Sequence, residues 1–219
     1  MRFDALILDM DGVLADTEPV HIRAWDVALE GIPGATEFRS ATRLEREKLT
    51  GMASAVIAAE LIRIFDLPVS VDDLVARKRR IYRELIGSVL RPFPGVRDEL
   101  ALLKARLLAL ATSAPRPEAS LVLGMMGFTG VFDPVITSDD VRRTKPAPDC
   151  YLLAAERMGV RPQECVVIED SVHGLRAALD SGATVLAVSP AELPESLAGV
   201  RRVFPSTVEA LRWLRENGS

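Results

Sequence analysis

Two acidic residues follow the first apolar run of the sequence at a spacing that suits phosphoryl transfer. Leu6, Ile7 and Leu8 predict a buried strand, and Asp9 and Asp11 follow at its end. Isolated carboxylates are costly away from water, so a pair of them at the end of a buried strand indicates a bound partner. One carboxylate could attack phosphorus, and a second could protonate the leaving oxygen. We expect Asp9, which is closer to the strand, to be the nucleophile and Asp11 to be the general acid and base.

Polar residues also follow three further apolar runs that the sequence predicts to be strands. The strand candidates after residue 88 are 107–111, 135–137, 165–168, 184–188 and 202–204. Because ligands of open parallel sheets bind beyond the carboxyl ends of the strands, we expect the polar groups there to share one site with the acid pair. The residues concerned are Thr112, Ser113, Lys145, Glu169 and Asp170.

The residue types at these strand ends are those that bind phosphate and a hard cation. Carboxylates that lie close together must be neutralised, and oxygen ligands suit Mg²⁺. The two histidines, His21 and His173, are far apart and have no zinc-ligand spacing. Lysine is a point-charge partner for phosphate oxygens. We predict Thr112, Ser113 and Lys145 as phosphate binders and Asp9, Asp11, Glu169 and Asp170 as Mg²⁺ ligands, Asp11 through its backbone carbonyl.

The elements that position these residues alternate regularly from residue 88 to the end of the chain. Short runs rich in Val, Ile and Leu alternate with helices that end at Gly127, Gly159 and Gly182. Apolar runs without a period of two are typical of strands buried on both faces. This alternation predicts an α/β fold, in which a Rossmann-like parallel sheet core is covered by helices on both sides.

Residues 18–87 interrupt the alternation with helical segments alone. Four helical stretches are predicted near 18–30, 41–49, 52–65 and 71–87. Because these stretches stand between the first strand and the second, they form an insertion into the sheet domain. We predict a core from residues 1–15 and 88–219 and an inserted α-helical cap domain from residues 16–87.

One lysine of the last cap helix falls within the apolar stripe of that helix. Leu74, Ile81, Tyr82 and Leu85 recur at helical spacing, and Lys78 lies among them. The neighbouring arginines at positions 77, 79 and 80 lie off the stripe and are expected to face water. We predict that Lys78 points into the cleft between cap and core.

The composition excludes some classes of function. The 219 residues carry a net charge of -4 and have a pI near 5.4, whereas nucleic-acid binding requires a basic surface. The sequence has no apolar run long enough to span a bilayer and no signal-peptide pattern. Cys150 and Cys165 lie in apolar stretches and are expected to be reduced and buried. We expect a cytoplasmic protein, a monomer or weak dimer, that acts on a small phosphorylated metabolite and binds neither nucleic acid nor membrane.

Four short motifs, in order across nearly the whole chain, resemble those of the haloacid dehalogenase (HAD) superfamily. They are Asp9-Met10-Asp11-Gly12-Val13, Thr112-Ser113, Lys145-Pro146 and Glu169-Asp170-Ser171. The resemblance implies the roles given above, with an aspartyl-phosphate at Asp9, and a helical cap like that of the phosphatase and phosphomutase branch. Asp11 disfavours a true haloacid dehalogenase, because an alkyl halide leaving group needs no proton.

Within that branch, the cap resembles that of the β-phosphoglucomutases. The stretch His21-Ile22-Arg23-Ala24-Trp25 is similar to their first cap helix, which makes His21 a candidate substrate-side residue together with Lys78. Such mutases hold a second phosphate with a cap arginine shortly after a glycine, but Met52-Ala53-Ser54-Ala55 follows Gly51 here. Arg116, in the loop after Thr112, either supplies the missing cation or is a solvated residue at a helix start.

Without a clear second phosphate site, water is the expected acceptor of the phosphoryl group. We predict a Mg²⁺-dependent phosphatase of a small sugar or polyol phosphate, with a phosphomutase as the alternative. A non-catalytic, phospho-accepting receiver is disfavoured, because the acid pair of receivers precedes the phosphorylated aspartate by a full βαβ unit and receivers have no inserted cap.

Overall fold

A computed structural model of the protein describes residues 3–35, 52–103, 107–189 and 193–218. Six strands form a parallel sheet in the order β3-β2-β1-β4-β5-β6. They are β1 (Ala5–Leu8), β2 (Leu107–Ala111), β3 (Val135–Ile136), β4 (Cys165–Glu169), β5 (Thr184–Val188) and β6 (Arg202–Phe204). Compared with the prediction, β3 ends one residue earlier and β4 one residue later, so that Glu169 belongs to its strand.

The central position of β1 brings several strand ends together. β1 pairs with β2 on one side and with β4 on the other, so that Leu8 lies opposite both Leu110 and Ile168. Leu6 and Leu8 point into one apolar core, whereas Ile7 points into a second core on the other face of the sheet. The residues that follow these three strands therefore leave the sheet side by side at its carboxyl edge.

Helices cover both faces of this sheet, as the alternating pattern predicts. Those flanking the core are α4 (Val96–Leu102), α5 (Arg116–Met125), α6 (Asp149–Met158), α7 (Val172–Ser181) and α8 (Thr207–Asn217). Residues of α4, α5 and α8 pack into the first core, and residues of α6 and α7 pack into the second. Within the described parts of the chain, none of the helices combines the length and apolar character that crossing a bilayer requires.

Within the described residues, three further helices stand between β1 and β2 and form the inserted cap: α1 (Glu18–Ala28), α2 (Ser54–Phe65) and α3 (Val71–Val89). The helix predicted near 41–49 lies outside the described residues, and α3 extends two residues beyond its predicted end. The chain leaves and re-enters the core through adjacent segments, because Ala15 forms a β-bridge with Pro92. The Phe93 amide also donates to the Leu14 carbonyl at 2.8 Å. The predicted fold class, a parallel α/β core with a helical cap, is confirmed, and the residue limits of the two domains stay a prediction.

The apolar stripe of α3 is buried, as its spacing predicts. Leu74, Ile81 and Tyr82 join the first core together with Trp25 of α1. Lys78 is buried among them, with 0% of the residue exposed. Because burying an ammonium group is costly without partners, this lysine must be held by specific contacts in the cap.

The two cysteines are free thiols and are buried, as predicted. Burial raises the pKa of both the Cys150 and the Cys165 thiol to about 11. Because the thiolate is the reactive form, thiols in such surroundings are inert at neutral pH.

Candidate active site

Lys145 connects the ends of three neighbouring strands. Its Nζ donates to Oδ1 of Asp9 after β1 at 2.6 Å and to Oε1 of Glu169 in β4 at 2.7 Å. It also donates to the carbonyl of Ala111 in β2 at 3.0 Å. Burial alone would lower the pKa of this lysine, but the charges of Asp9 and Glu169 outweigh burial and hold the pKa well above its usual value. Lys145 is therefore a fixed cation at the carboxyl edge of the sheet.

Glu169 is held by hydrogen bonds on both of its carboxylate oxygens. Oε1 accepts from Lys145 and from the Tyr151 hydroxyl at 3.0 Å. Oε2 accepts from the amides of Asp170 at 2.8 Å and Ser171 at 2.9 Å, and from the Ser171 hydroxyl at 3.1 Å. These contacts make Glu169 the group that positions Lys145, and its role as a metal ligand stays a prediction.

Three carboxylates form a compact cluster beside Lys145. Oxygen atoms of Asp9, Glu169 and Asp170 lie within 4.8 Å of one another. Burial raises the pKa of Asp9 to about 8, against the charge of Lys145, and it raises the pKa of Asp170 well above its usual value. Gly12 permits the close approach, because φ there is +76° and a Cβ atom would overlap the Asp170 carboxylate. Acids this crowded need protons or a cation between them, and an all-oxygen donor set fits Mg²⁺.

The Asp11 carboxylate has different partners from those of the cluster. Its Oδ1 accepts from the Thr17 hydroxyl at 2.5 Å and lies 3.6 Å from Nε2 of His21. Burial would raise the pKa of this carboxyl, but the hydrogen bonds from His21 and Thr17 and the charge of Lys78 outweigh burial and lower it. Because the carboxylate is engaged in this way, Asp11 would bind Mg²⁺ through its backbone carbonyl, which is the prediction from the sequence.

A chain of contacts runs from the cap to Asp11 through His21. Nζ of Lys78 lies 2.9 Å from Nδ1 of His21 and 3.3 Å from Oγ of Ser54. The Tyr82 ring stacks on the His21 ring with centroids 4.3 Å apart. A protonated lysine only donates hydrogen bonds, so His21 accepts at Nδ1 and carries its proton on Nε2, which faces Asp11.

A cavity lies over the carboxyl edge of the sheet, between the core and the cap. The core contributes the acid cluster, Lys145 and Asp11 to its lining. The cap side is lined by both polar and apolar groups, which suits a ligand with a phosphate at one end and a small organic part at the other. Those cap residues include His21, Trp25, Met52, Ser54 and Ile57.

The arrangement of these side chains agrees with a known family. A model of the family described as haloacid dehalogenase-like hydrolase matches residues 3–182. The chain belongs to the haloacid dehalogenase-like hydrolases. The matched region contains all four motifs and the whole cap, so the resemblance inferred from the motifs is confirmed.

Relatives within the family are named as phosphatases. The fructose-1-phosphate phosphatase YqaB of Escherichia coli (strain K12) is 33% identical over 181 residues, which are 83% of this chain and 94% of that protein. A phosphorylated carbohydrates phosphatase of Thermotoga maritima is 37% identical over 185 residues, 82% of each chain. Among solved structures, CbbY from Rhodobacter sphaeroides in complex with phosphate is 28% identical, with a TM-score of 0.82 over 94% of this chain and 96% of that one.

The predicted phosphate binders of this hydrolase occupy different environments. Lys145 and Ser113 line the cavity. Thr112 is buried, and its Oγ1 accepts a hydrogen bond from the Ala114 amide at 3.0 Å. Thr112 is thus next to the cavity in sequence but is engaged in shaping its own loop, so a contact to phosphate stays a prediction.

The structure does not bring Arg116 to the cavity. Its Nη2 donates to Oδ2 of Asp140 at 2.5 Å and to the Val135 carbonyl at 3.3 Å. The side chain is 47% exposed. Of the two alternatives for Arg116, these contacts favour a solvated residue that holds the start of α5 to the end of β3.

Lys78 lies one layer behind the cavity wall, and its role toward the substrate stays a prediction. Instead of lining the cavity itself, it lies behind His21 and Ser54, which do line it. Burial lowers the pKa of Lys78, although the charges of Glu118 and Asp11 oppose the shift. Lys78 therefore contacts the cavity wall through His21 and Ser54, and its charge also acts on Asp11.

Thr17 and Glu118 are among the cavity-lining residues that sequence reasoning missed. Thr17 fixes the orientation of Asp11, and Glu118 of α5 lies on the core side with 5% of its side chain exposed. Neither residue type indicated a functional role in the sequence. A threonine before a helix is usually an N-cap, and a glutamate in the first turn of a helix usually interacts with the helix dipole.

Proposed function

We propose that this HAD hydrolase is a Mg²⁺-dependent phosphatase of a small sugar or polyol phosphate. The observation that carries the proposal is the arrangement around Asp9, a buried carboxylate held by Lys145 inside the acid cluster, with Asp11 in separate surroundings two residues away. The names of the two phosphatase relatives support the reaction and the carbohydrate class of substrate.

The proposed reaction takes place in two steps on Asp9. The Asp9 carboxylate attacks phosphorus, and the bond to the leaving oxygen breaks as Asp11 gives that oxygen a proton. Asp11 then takes a proton from water, which attacks the aspartyl-phosphate, frees the Asp9 carboxylate and yields inorganic phosphate. The entering phosphate carries negative charge and would raise the Asp11 pKa, which supplies the protonated form for the first step.

The metal site follows from the same residues. Asp9, Asp170 and the backbone carbonyl of Asp11 would hold Mg²⁺, which would neutralise phosphate oxygens and the crowded acids. Lys145 adds a second positive charge on the Asp9 side, and Glu169 keeps that lysine in place. Ser113 and Thr112 are the proposed hydroxyl donors to phosphate.

Water is favoured over a sugar as the acceptor, because the candidate anchors for a second phosphate are otherwise engaged. Arg116 pairs with Asp140, and Lys78 lies behind His21. A mutase must hold a bisphosphate at its far end while it turns over, and losing a charge-assisted hydrogen bond costs about 1.5–3 kcal/mol. The phosphomutase stays the alternative.

A product assay separates the two acceptors. With β-glucose 1-phosphate and a trace of the 1,6-bisphosphate, we expect inorganic phosphate or no reaction, and little glucose 6-phosphate. Rapid formation of glucose 6-phosphate with negligible phosphate release would establish the mutase instead. A panel of sugar and polyol phosphates with Mg²⁺ tests the broader proposal, which fails if none of them releases phosphate.

The proposal includes a cytoplasmic protein that is a monomer or weak dimer without nucleic-acid partners. The net charge of -4 supports the last point, since a nucleic-acid surface is basic. Light scattering behind a sizing column tests the oligomeric state.

A further inference from the structure

We propose that Glu118 accepts hydrogen bonds from substrate hydroxyl groups. It would thereby select phosphate esters whose organic part is uncharged and bears hydroxyl groups over those whose organic part carries a carboxylate. This inference rests on the proposed phosphatase function and adds a specificity residue to it. Glu118 stands in the first turn of α5, on the core side of the cavity and opposite the cap helices.

The position of Glu118 is unusual for a carboxylate. The side chain is 5% exposed, yet its Oε1 has no hydrogen-bond partner among the described residues. Nε of Arg79 in α3 lies 3.8 Å away, too far for a hydrogen bond, and it has no partner within the described ranges either. The pair therefore supplies Glu118 with a counter-charge and leaves its buried Oε1 without a hydrogen-bond donor.

Other polar groups on the cavity wall already have partners. The Thr17 hydroxyl donates to Asp11, Nδ1 of His21 faces Lys78, and the Ser54 hydroxyl is also within reach of Lys78. A buried acceptor without a donor costs free energy, and a bound molecule can remove that cost. Because Glu118 lines the cavity and its buried Oε1 lacks a donor, a turn of this side chain toward the cavity would let Oε1 meet the organic part of a substrate whose phosphate lies at Asp9.

The chemistry of a carboxylate determines which ligand suits this position. An ionised carboxylate only accepts hydrogen bonds, and sugar or polyol hydroxyls are donors. A substrate that carries its own carboxylate would offer an acceptor and a like charge at the same place, where the low dielectric strengthens repulsion. Glu118 should therefore favour fructose 1-phosphate and oppose 2-phosphoglycolate.

The test compares the kcat/KM values for fructose 1-phosphate and 2-phosphoglycolate in the full-length protein with Mg²⁺. In Glu118→Gln we expect the ratio of the two values to fall by about tenfold or more, with the sugar phosphate losing mainly through KM and phosphoglycolate gaining. Arg79→Gln should leave that ratio high, because the acceptor is retained. Glu156→Gln, at an exposed position on α6, is the matched control for the substitution itself.

Several outcomes would overturn the inference. Equal changes for both substrates in Glu118→Gln, or the same loss in Arg79→Gln, would show that Glu118 only joins cap and core. If Glu118→Gln does not fold, Glu118→Asp keeps the charge, and it should weaken the sugar phosphate while still excluding phosphoglycolate. If the wild type releases no phosphate, the proposed function fails. Calorimetric binding of fructose 1-phosphate to Asp9→Asn, with and without Glu118→Gln, then decides the role of Glu118 separately, and unchanged affinity would refute it.

Discussion

Asp9 and Asp11 are two residues apart and have the same side chain, but their surroundings affect them in opposite directions. Burial raises the pKa of Asp9 to about 8. At Asp11 burial acts the same way, but the hydrogen bonds from His21 and Thr17 outweigh it, so that the pKa is lowered. These directions are the reverse of what the two proposed roles need, because the nucleophile must be ionised and the general acid protonated. A cation at the acid cluster would lower the pKa of Asp9, and the negative charge of an entering phosphate would raise the pKa of Asp11.

Replacing Asp9 by asparagine should abolish phosphate release while leaving the fold intact. The amide is nearly isosteric with the carboxylate but is a poor nucleophile, so kcat should fall by at least about 10³-fold. Steady-state phosphate release and a thermal melt measure the two effects, and Glu156→Gln serves as the control. Appreciable turnover by a folded Asp9→Asn protein would rule out the covalent mechanism.

Single residues differ in how far their sequence context predicts their positions. The sequence predicts Lys78 within the buried stripe of α3, because helical periodicity is local information. Its partner His21 is 57 positions away, and Asp140, the partner of Arg116, is 24 away. Contacts of this kind depend on the packing of separate elements, so the sequence left the alternatives for Arg116 open and did not indicate Glu118.

At the scale of elements, the first turn of α7 determines where the Glu169 carboxylate can lie. Ser171 caps this helix, and its hydroxyl accepts from the Gly174 amide at 3.0 Å. A Cβ atom at Gly174 would overlap the Glu169 carboxylate. The glycine in this turn therefore makes room for the group that holds Lys145.

Replacing Gly174 by alanine should displace Glu169 and reduce both stability and activity. Losing one charge-assisted hydrogen bond to Lys145 corresponds to about 1.5–3 kcal/mol in the free energy of unfolding. Gly87→Ala in α3 is the matched control, since Gly87 is exposed and a Cβ atom there meets nothing within 4 Å. That change should stabilise the protein by about 0.4–1 kcal/mol. Urea unfolding of both variants checks the contrast, and equal effects would contradict it.

Elements were the most predictable level of the structure. The limits of β2, β5 and β6 were predicted correctly from their apolar runs, and the ends of α6 and α7 were predicted correctly from the glycines that follow them. Strand burial and helix termination depend on local sequence. The predicted end of α3 was two residues short. The prediction ended at Gly87, but the helix continues through this glycine to Val89. Proline does follow at position 92, where the chain has already returned to the core.

At the scale of the whole molecule, the cavity exists only because the cap lies over the carboxyl edge of the sheet. Strand alternation predicted the sheet, and helical periodicity predicted the cap. Their relative placement depends on contacts between side chains distant in sequence, such as the approach of Arg79 to Glu118 at 3.8 Å. The meeting of the polar strand ends at one edge of the sheet was therefore predictable, whereas the cap side of the cavity was not.

Removing Mg²⁺ should affect the whole molecule as well as the reaction. We expect a chelator to stop phosphate release and added Mg²⁺ to restore it, while Ca²⁺ inhibits because it prefers longer and looser oxygen coordination. Because the ion binds the folded state, Mg²⁺ at about 100 times its Kd should stabilise the protein by about 2.7 kcal/mol. Melting curves with and without Mg²⁺ measure this shift.

The same titration in Asp170→Ala provides the control for the metal site. This variant should lose most of the Mg²⁺-dependent shift in melting temperature and should need more Mg²⁺ for half-maximal activity. An unchanged Mg²⁺ dependence of both activity and melting would contradict the assignment of Asp170 as a ligand.

The bridge between Ala15 and Pro92 also bears on how such a protein could have evolved. The segment that leaves the sheet domain at Ala15 and the segment that re-enters it at Pro92 are adjacent in space. The insertion between them can therefore be shortened, lengthened or exchanged without leaving a gap in the sheet domain. The entropy of closing an inserted loop grows only slowly with its length, which makes insertions of different sizes similarly tolerable. Recombination at these two positions would bring in a new substrate-recognition module together with new partners for Asp11, since Thr17 and His21 lie within the exchanged segment.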